Sequence, residues 1–259
     1  MLTRIYSALA LGCLIAGTLC AADDPFCGKW KLNQDKSKIA GEQMKIQDLG
    51  NHKFKWTFGN DSDTVTADGT DQPVHYGRTM SLTMDGPNSM KMVIKQNGKV
   101  LDSMTHALSD DGNMQTIKGD SVKPDGSSSA YSVDMKRVGS GSGWSGTWES
   151  TDVKMNSPDE YDIDANGSDG LTFSVPAYQD TLAMKFDGKE YTEKGPAVAP
   201  GSTASGKRVD ARTLELTDKV KGRIVDHEKF EVSPDGKTLT MTLRETGQPN
   251  ALTIVYDKM

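Results

Sequence analysis

The chain has 259 residues, 35% hydrophobic and 25% charged, with 30 Lys and Arg against 36 Asp and Glu for a formal net charge of −6. A mildly acidic chain offers no basic face, which argues against nucleic acid or an anionic membrane surface as its main partner.

Arg4, an apolar run from Ala8 to Leu19 and the small pair Ala21-Ala22 make the pattern of a secretory signal at residues 1–22, cleaved near Ala22 and too short to span a membrane. Export to the periplasm or the extracellular space is expected. A lipid anchor is not, because Cys20 follows the large Leu19 and Cys13 comes too early in the apolar run. Removing 22 of the 259 residues also removes Arg4, leaving 237 residues with a formal charge of −7. Cys13 and Cys20 leave with the signal, so the shortened chain keeps Cys27 alone and closes no internal disulfide.

Beyond the signal the chain repeats itself. Phe26-Cys27-Gly28-Lys29-Trp30 opens one half and Trp144-Ser145-Gly146-Thr147-Trp148 the other. Further equivalences follow in order: Ile46 with Ile163, Trp56 with Phe173, Asp68-Gly69 with Asp187-Gly188, the segment ending at Asp102 with that ending at Asp226, and Asp111-Gly112 with Asp235-Gly236. Two copies of one domain are implied.

Short helical pieces are expected only at residues 34–43 and after Trp148. Elsewhere strand signals dominate, as in Phe54-Lys55-Trp56-Thr57-Phe58, Met80-Ser81-Leu82-Thr83-Met84, Met90-Lys91-Met92-Val93-Ile94 and Leu239-Thr240-Met241-Thr242-Leu243. Each alternates apolar and polar residues, the period of a strand with one dry face. Turn pairs such as Asn97-Gly98, Asp125-Gly126 and Asn166-Gly167 separate them. These pairs tolerate positive φ and close antiparallel hairpins. The Gly/Ser run at 139–143 has the composition of a flexible linker. The expected layout is a first barrel over 23–138, a linker over 139–143 and a second barrel over 144–259. A further Gly/Pro-rich stretch, 195–206, is expected as a surface loop.

The pattern Phe26-x-Gly28-x-Trp30-Lys31-Leu32 resembles the opening of lipocalins and fatty-acid-binding proteins, the calycin barrels, and Val255-Tyr256-Asp257-Lys258 resembles the closing strand of the fatty-acid-binding branch. The chain as a whole is similar to exported bacterial proteins with tandem lipocalin-like domains, a family that supplies a fold and no established activity. The fold this implies is all-β, two tandem antiparallel lipocalin-like up-and-down barrels. Gly28, Trp30, Gly146 and Trp148 would then be structural plugs, the indole closing one end and the glycine admitting the neighbouring chain. In the fatty-acid-binding branch an Arg-x-Tyr holds the ligand carboxylate. Tyr256 stands at the tyrosine position, but Ile254 stands at the arginine position, and the first copy has Val133 and Met135 there. Without the guanidinium a head-in fatty acid is not expected.

Asp162-x-Asp164-x-Asn166-Gly167 matches half of a calcium loop, but Phe173 occupies the twelfth position and both flanks read as strands, so the hairpin reading is preferred and no metal is assigned. His52, His75, His106 and His227 show no ligand spacing and read as solvated surface groups. No nucleophile has a base that sequence can identify, and no phosphate loop is present. The expectation is a protein without catalytic activity or cofactor that binds or carries a small apolar molecule in a barrel. A structural or protein-interaction module of the cell envelope with solid barrels is the alternative. The second copy is the preferred place for a ligand, with Tyr256, Phe173, Met184 and Met241 as candidate contacts. Its methionines suit an adaptable wall, although they fill cores equally well.

Overall fold

Period-two alternation broken by Asx-Gly pairs produces an all-β chain, 66% strand and 3% helix. The structure is a computed structural model that describes residues 24–155 and 160–259. The segment expected as a signal, residues 1–22, lies outside them.

Strand β1 (Gly28–Leu32) comes first. It is followed by β2 (Gln43–Asp48), β3 (Lys53–Phe58), β4 (Asp61–Thr66), β5 (Gln72–Val74), β6 (Arg78–Met84), β7 (Ser89–Gln96), β8 (Lys99–Leu108), β9 (Met114–Val122), β10 (Ser128–Ser142) and β11 (Ser145–Met155). The second half supplies β12 (Glu160–Asn166), β13 (Gly170–Val175), β14 (Asp180–Lys185), β15 (Tyr191–Thr192), β16 (Ser202–Asp210), β17 (Thr213–Val220), β18 (Arg223–Val232), β19 (Thr238–Glu245) and β20 (Leu252–Lys258). They form two nearly closed ten-stranded antiparallel barrels. The Asx-Gly pairs fall between strands, with glycine in the left-handed region, as at Gly98 (φ 77°) and Gly236 (φ 70°).

The partition of strands corrects the expected layout. The first barrel has the order β4-β3-β2-β11-β10-β9-β8-β7-β6-β5, and the second β14-β13-β12-β1-β20-β19-β18-β17-β16-β15. Strand β1, from the first copy, sits between β12 and β20, while β11, from the second copy, sits between β10 and β2. The two Gly-x-Trp strands have therefore exchanged barrels. One unit is built from residues 39–155 with 247–250, the other from 24–38, 160–246 and 251–259. Residues 139–143 are no linker. Strand β10 runs paired through them and turns back at Gly143-Trp144 into β11, with Val138 opposite Thr147 and Ser142 opposite Ser145. Glycine gives this segment the φ values of +76° at 139 and +53° at 143 that the bulge and turn require.

Each exchanged strand is locked in the same way. Trp30 and Trp148 are fully buried, and each indole Nε1 donates four residues back, to Phe26 O at 2.8 Å and Trp144 O at 3.2 Å. The cation of the preceding barrel strand lies over each ring, Lys258 Nζ at 4.9 Å from Trp30 and the Arg137 guanidinium at 4.2 Å from Trp148. A Cβ at Gly28 would collide with Lys258, and one at Gly146 with Arg137. The glycine of Gly-x-Trp thus clears the path of the cation to the ring face, a cation–π contact rather than the chain approach expected.

Other expectations shift as well. Of residues 34–43 only Gln34–Lys36 is helical, a single 3-10 turn capped by Asn33 Oδ1, and Trp148 is followed by continuing strand. The loop expected at 195–206 ends at Gly201, since Ser202–Gly206 pair with β17. In the full chain Cys27 is disulfide-bonded, so the expectation of a lone Cys27 concerns only a chain shortened at Ala22.

Strand exchange makes a selective outcome testable. Trp30→Ala is expected to destabilise the second barrel by about 3–5 kcal/mol, the cost of emptying a large buried aromatic site. Hydrogen exchange read by mass spectrometry should show protection falling in β12–β20 and held in β2–β10, with Trp148→Ala giving the reverse. Loss of β2–β10 protection in the Trp30 variant would refute the assignment.

Candidate functional site

The interior of the second barrel follows from strand phase. On β18, Asp226, Glu228, Phe230 and Val232 point inward and His227, Lys229 and Glu231 outward. Leu214, Leu216 and Asp218 of β17 share the inward face, with Asp218 opposite Asp226 and Leu216 opposite Glu228. Glu245 of β19 faces Asp226 from the other side. Tyr161 of β12, Phe173 of β13 and Tyr256 of β20 complete the wall.

Four rings meet at its centre. Tyr161 stacks on Phe230 with centroids 6.1 Å apart and planes 6° from parallel, and on Tyr256 at 5.7 Å. Phe173 touches Tyr161 at 6.1 Å and Phe230 at 5.8 Å. Such offset pairs stabilise by about 0.5–1.5 kcal/mol beyond their buried area. Tyr161 is surrounded by protein, which raises its phenol pKa well above normal, and the charges of Glu228 and Asp218 reinforce this. It nevertheless keeps accessible surface.

Above the rings stand the acids. Carboxylate oxygens of Asp218, Asp226 and Glu228 lie within 4.8 Å of one another. Burial, then the like charges of Glu228, Asp226 and Glu193, hold the Asp218 carboxyl well above the carboxylate range. The Asp218 carboxyl is hydrogen-bonded to Asp226, and its Oδ1 is buried without a further partner.

The structure brings all four sequence-derived contacts into this barrel. Phe173 and Tyr256 belong to the ring cluster. Met241 lies in its wall opposite Phe230 and Ile254. Met184 is fully buried and packs its methyl against Gly206. Asp162, Asp164 and Asn166 do not form a calcium loop: they stand on the outer face of extended β12, where alternate residues are about 6.6 Å apart, and Asp162 is paired with Lys29 Nζ at 2.9 Å. The segment is the hairpin partner of β13.

The first barrel has a different interior at the same positions. Asp102, equivalent to Asp226, is fully buried and accepts from Tyr131 Oη at 2.9 Å and Ser121 Oγ at 3.5 Å. Tyr131 reaches it across Gly119, where a Cβ would collide with the phenol ring. Burial pushes Asp102 up to about 7 against these hydrogen bonds. His106 is 2% exposed, which corrects its reading as a surface group. Its Nδ1 is 2.6 Å from Gln115 Oε1, its ring meets Trp56 edge-on at 5.2 Å, and burial lowers its pKa to about 4. His52 and His227 are exposed, and His75 lies against Asp63, Nδ1 to Oδ1 2.6 Å.

Sequence reasoning missed Asp102, His106, Asp218, Asp226 and Glu228. The one available signal was the repeat itself, which places Asp102 and Asp226 in register. On the outer face of the second barrel a depression of about 580 Å³ is lined by Lys207, Glu215, Thr217, His227 and Arg244, among others. Its charges are partly paired, Lys207 with Glu215 at 2.9 Å. In comparison with known proteins, no family model, curated protein or solved structure matches the chain. The architecture of two antiparallel β-barrels rests on the structure alone.

Asp102 and His106 titrate with opposite consequences. Asp102, raised to about 7 from 3.8, contributes stability fully present below pH 3.8 and lost as pH rises to 7. His106, lowered to about 4 from 6.5, contributes stability present above pH 6.5 and lost as pH falls to 4. Between pH 4 and 6.5 the two slopes oppose and largely cancel. Urea unfolding against pH should therefore uncover each in the other's variant. With His106→Gln, stability falls by about 4 kcal/mol as pH rises from 4 to 7, and with Asp102→Asn it falls by about 3 kcal/mol as pH drops from 6.5 to 4.

Proposed function

We propose that the protein is an exported, non-catalytic carrier whose second barrel takes up a small ligand with a flat apolar body. The carrying observation is the four-ring cluster of Tyr161, Phe173, Phe230 and Tyr256, with a half-buried Tyr161 at its centre. Apolar walls around a small number of placed polar groups are the usual composition of a ligand chamber. The Tyr256 region also speaks against a fatty acid, because carboxylates rather than a guanidinium stand above the rings, so an anionic head would meet like charge.

The first barrel favours the other reading. Leu82 and Met90 are fully buried, Met92 is 4% exposed, and Trp56 packs on His106 across its centre. This packing supports an interior filled by side chains, as eight-to-ten-stranded barrels permit.

A neutral fluorophore tests the reading. N-phenyl-1-naphthylamine titrated into the full chain should give a saturable rise in emission with one site. Tyr161→Trp, which extends a larger ring into the chamber, should weaken that site at least tenfold while the thermal melt stays within a few degrees. Binding that survives the substitution unchanged would place the ligand elsewhere.

A further inference from the structure

We propose that the first barrel opens along the seam between its two end strands, β4 and β5, and that the charge on His75 sets how readily it does so. The seam belongs to the barrel that lacks the four-ring cluster.

The two barrels close differently. In the second, Asp187 bridges to Lys207, and a further backbone pair joins Thr181 to Lys194, with N to O distances of 2.8 and 2.9 Å. The first barrel keeps the equivalent of the former, Asp68 with Thr83. The register that aligns Asp68 with Asp187 places Ser62 and His75 where the latter pair stands, yet among the described residues no backbone hydrogen bond joins β4 to β5 or to the turn after it.

Side chains take over there. The Gln72 amide copies a peptide group, Oε1 accepting from Thr66 N at 2.8 Å and Nε2 donating to Thr66 O at 2.7 Å. Asp63 Oδ1 accepts from His75 N at 3.0 Å and lies 2.6 Å from His75 Nδ1, while Asp61 Oδ1 stands 3.8 Å from His75 Nε2. Tyr76 Oη donates to Asp61 Oδ2. The turn that delivers this hydroxyl holds Tyr76 at φ 65°, a region a non-glycine residue seldom takes. A strained turn tied to β4 by side-chain bonds is poised to lift.

Its grip depends on charge. A neutral imidazole donates one hydrogen bond, here to Asp63, whereas a protonated one donates two and sets a positive charge between two carboxylates. Histidine makes this change between about pH 5 and 8. The His75 side chain is 38% exposed, so water screens the attraction and the effect is graded rather than all-or-none. Of the other charges around the seam, Arg78 at the start of β6 donates from Nε to Gln96 Oε1 at 3.3 Å, and Lys95 of β7 is paired with Asp71 at 2.8 Å. His52 meets the end of β4 through its carbonyl, which accepts from Ala67 N at 2.7 Å.

Site-resolved amide exchange, read by NMR on the full chain, tests this. The amides of Thr66 and His75 donate to seam side chains, and those of Thr181 and Lys194 to backbone across the other seam. After correction for intrinsic rates, protection at Thr66 and His75 is expected to rise about two- to fivefold from pH 8 to pH 6, with Thr181 and Lys194 unchanged. His75→Gln, which keeps the backbone donor and loses the titration, should hold the pH 8 level at both pH values. His75→Lys, which installs the cation found at the equivalent Lys194, should hold the higher level at both. Protection at Thr66 and His75 that ignores pH in the unaltered chain would overturn the proposal. A pH dependence that survives His75→Gln would assign it to Asp102 or His52 and overturn it equally, as would parallel changes at Thr181 and Lys194, which would make the opening global.

Discussion

The turn at Gly143-Trp144 decides the architecture. Because β10 continues paired from Ser128 to Ser142 and reverses immediately, β11 has no choice but to lie beside it in the first barrel. Arg137 fixes the reversal: Nε and Nη2 donate to Gly112 O at 3.0 and 2.6 Å, Nη1 to Ser145 O at 2.6 Å, Nη2 also to Gly143 O at 2.6 Å, while the guanidinium plane covers Trp148. An arginine fork suits this task, since it spends several donors on converging carbonyls and still presents a face to an indole. With β11 committed, the sheet of β12–β20 lacks the strand that joins its two ends. Strand β1 supplies it, pairing Trp30 with Tyr161 on one side and with Lys258 on the other.

That placement ties the exchange to the candidate site. Trp30 pairs with Tyr161, and Leu32 with Tyr256, so the strand borrowed from the first copy stands against two members of the ring cluster. The second barrel is therefore assembled from both halves of the sequence. A cut at the Gly/Ser run would leave its wall open between β12 and β20.

Much of the fold was legible because period-two alternation and Asx-Gly turns are local signals, and the repeat gave the register of both copies. Ala130 with Ala251 held in the ladders, where Tyr131, Val133 and Met135 oppose Gly119, Ile117 and Gln115 just as Leu252, Ile254 and Tyr256 oppose Leu243, Met241 and Leu239. The exchange was not legible, since glycine and serine serve a linker and a tight bulged reversal equally well. Nor were the acids. In Asp226-His227-Glu228-Lys229 every residue is polar, so alternation carries no phase and nothing in the string says that the acids turn inward. His106 hid for a related reason, lying between polar Thr105 and small Ala107, with its partners Gln115 and Trp56 on other strands.

The differences between the interiors are more informative than their likeness. Burying carboxylates together is costly, each losing its hydration while repelling the others, and apolar residues of similar volume are commonly the more stable choice. The chain itself contains that choice: Ile94 and Met104 occupy in the first barrel the positions of Asp218 and Glu228 in the second, on strands of matching register. The same topology therefore folds without the extra acids. Where an acid is kept in the first barrel, at Asp102, a tyrosine and a serine are spent on its oxygens. In the second, the equivalents of those two residues are Leu252 and Glu245, so the hydroxyls are gone and a further acid stands in the place of the serine. Folding stability alone therefore gives no reason for the three clustered acids of the second barrel.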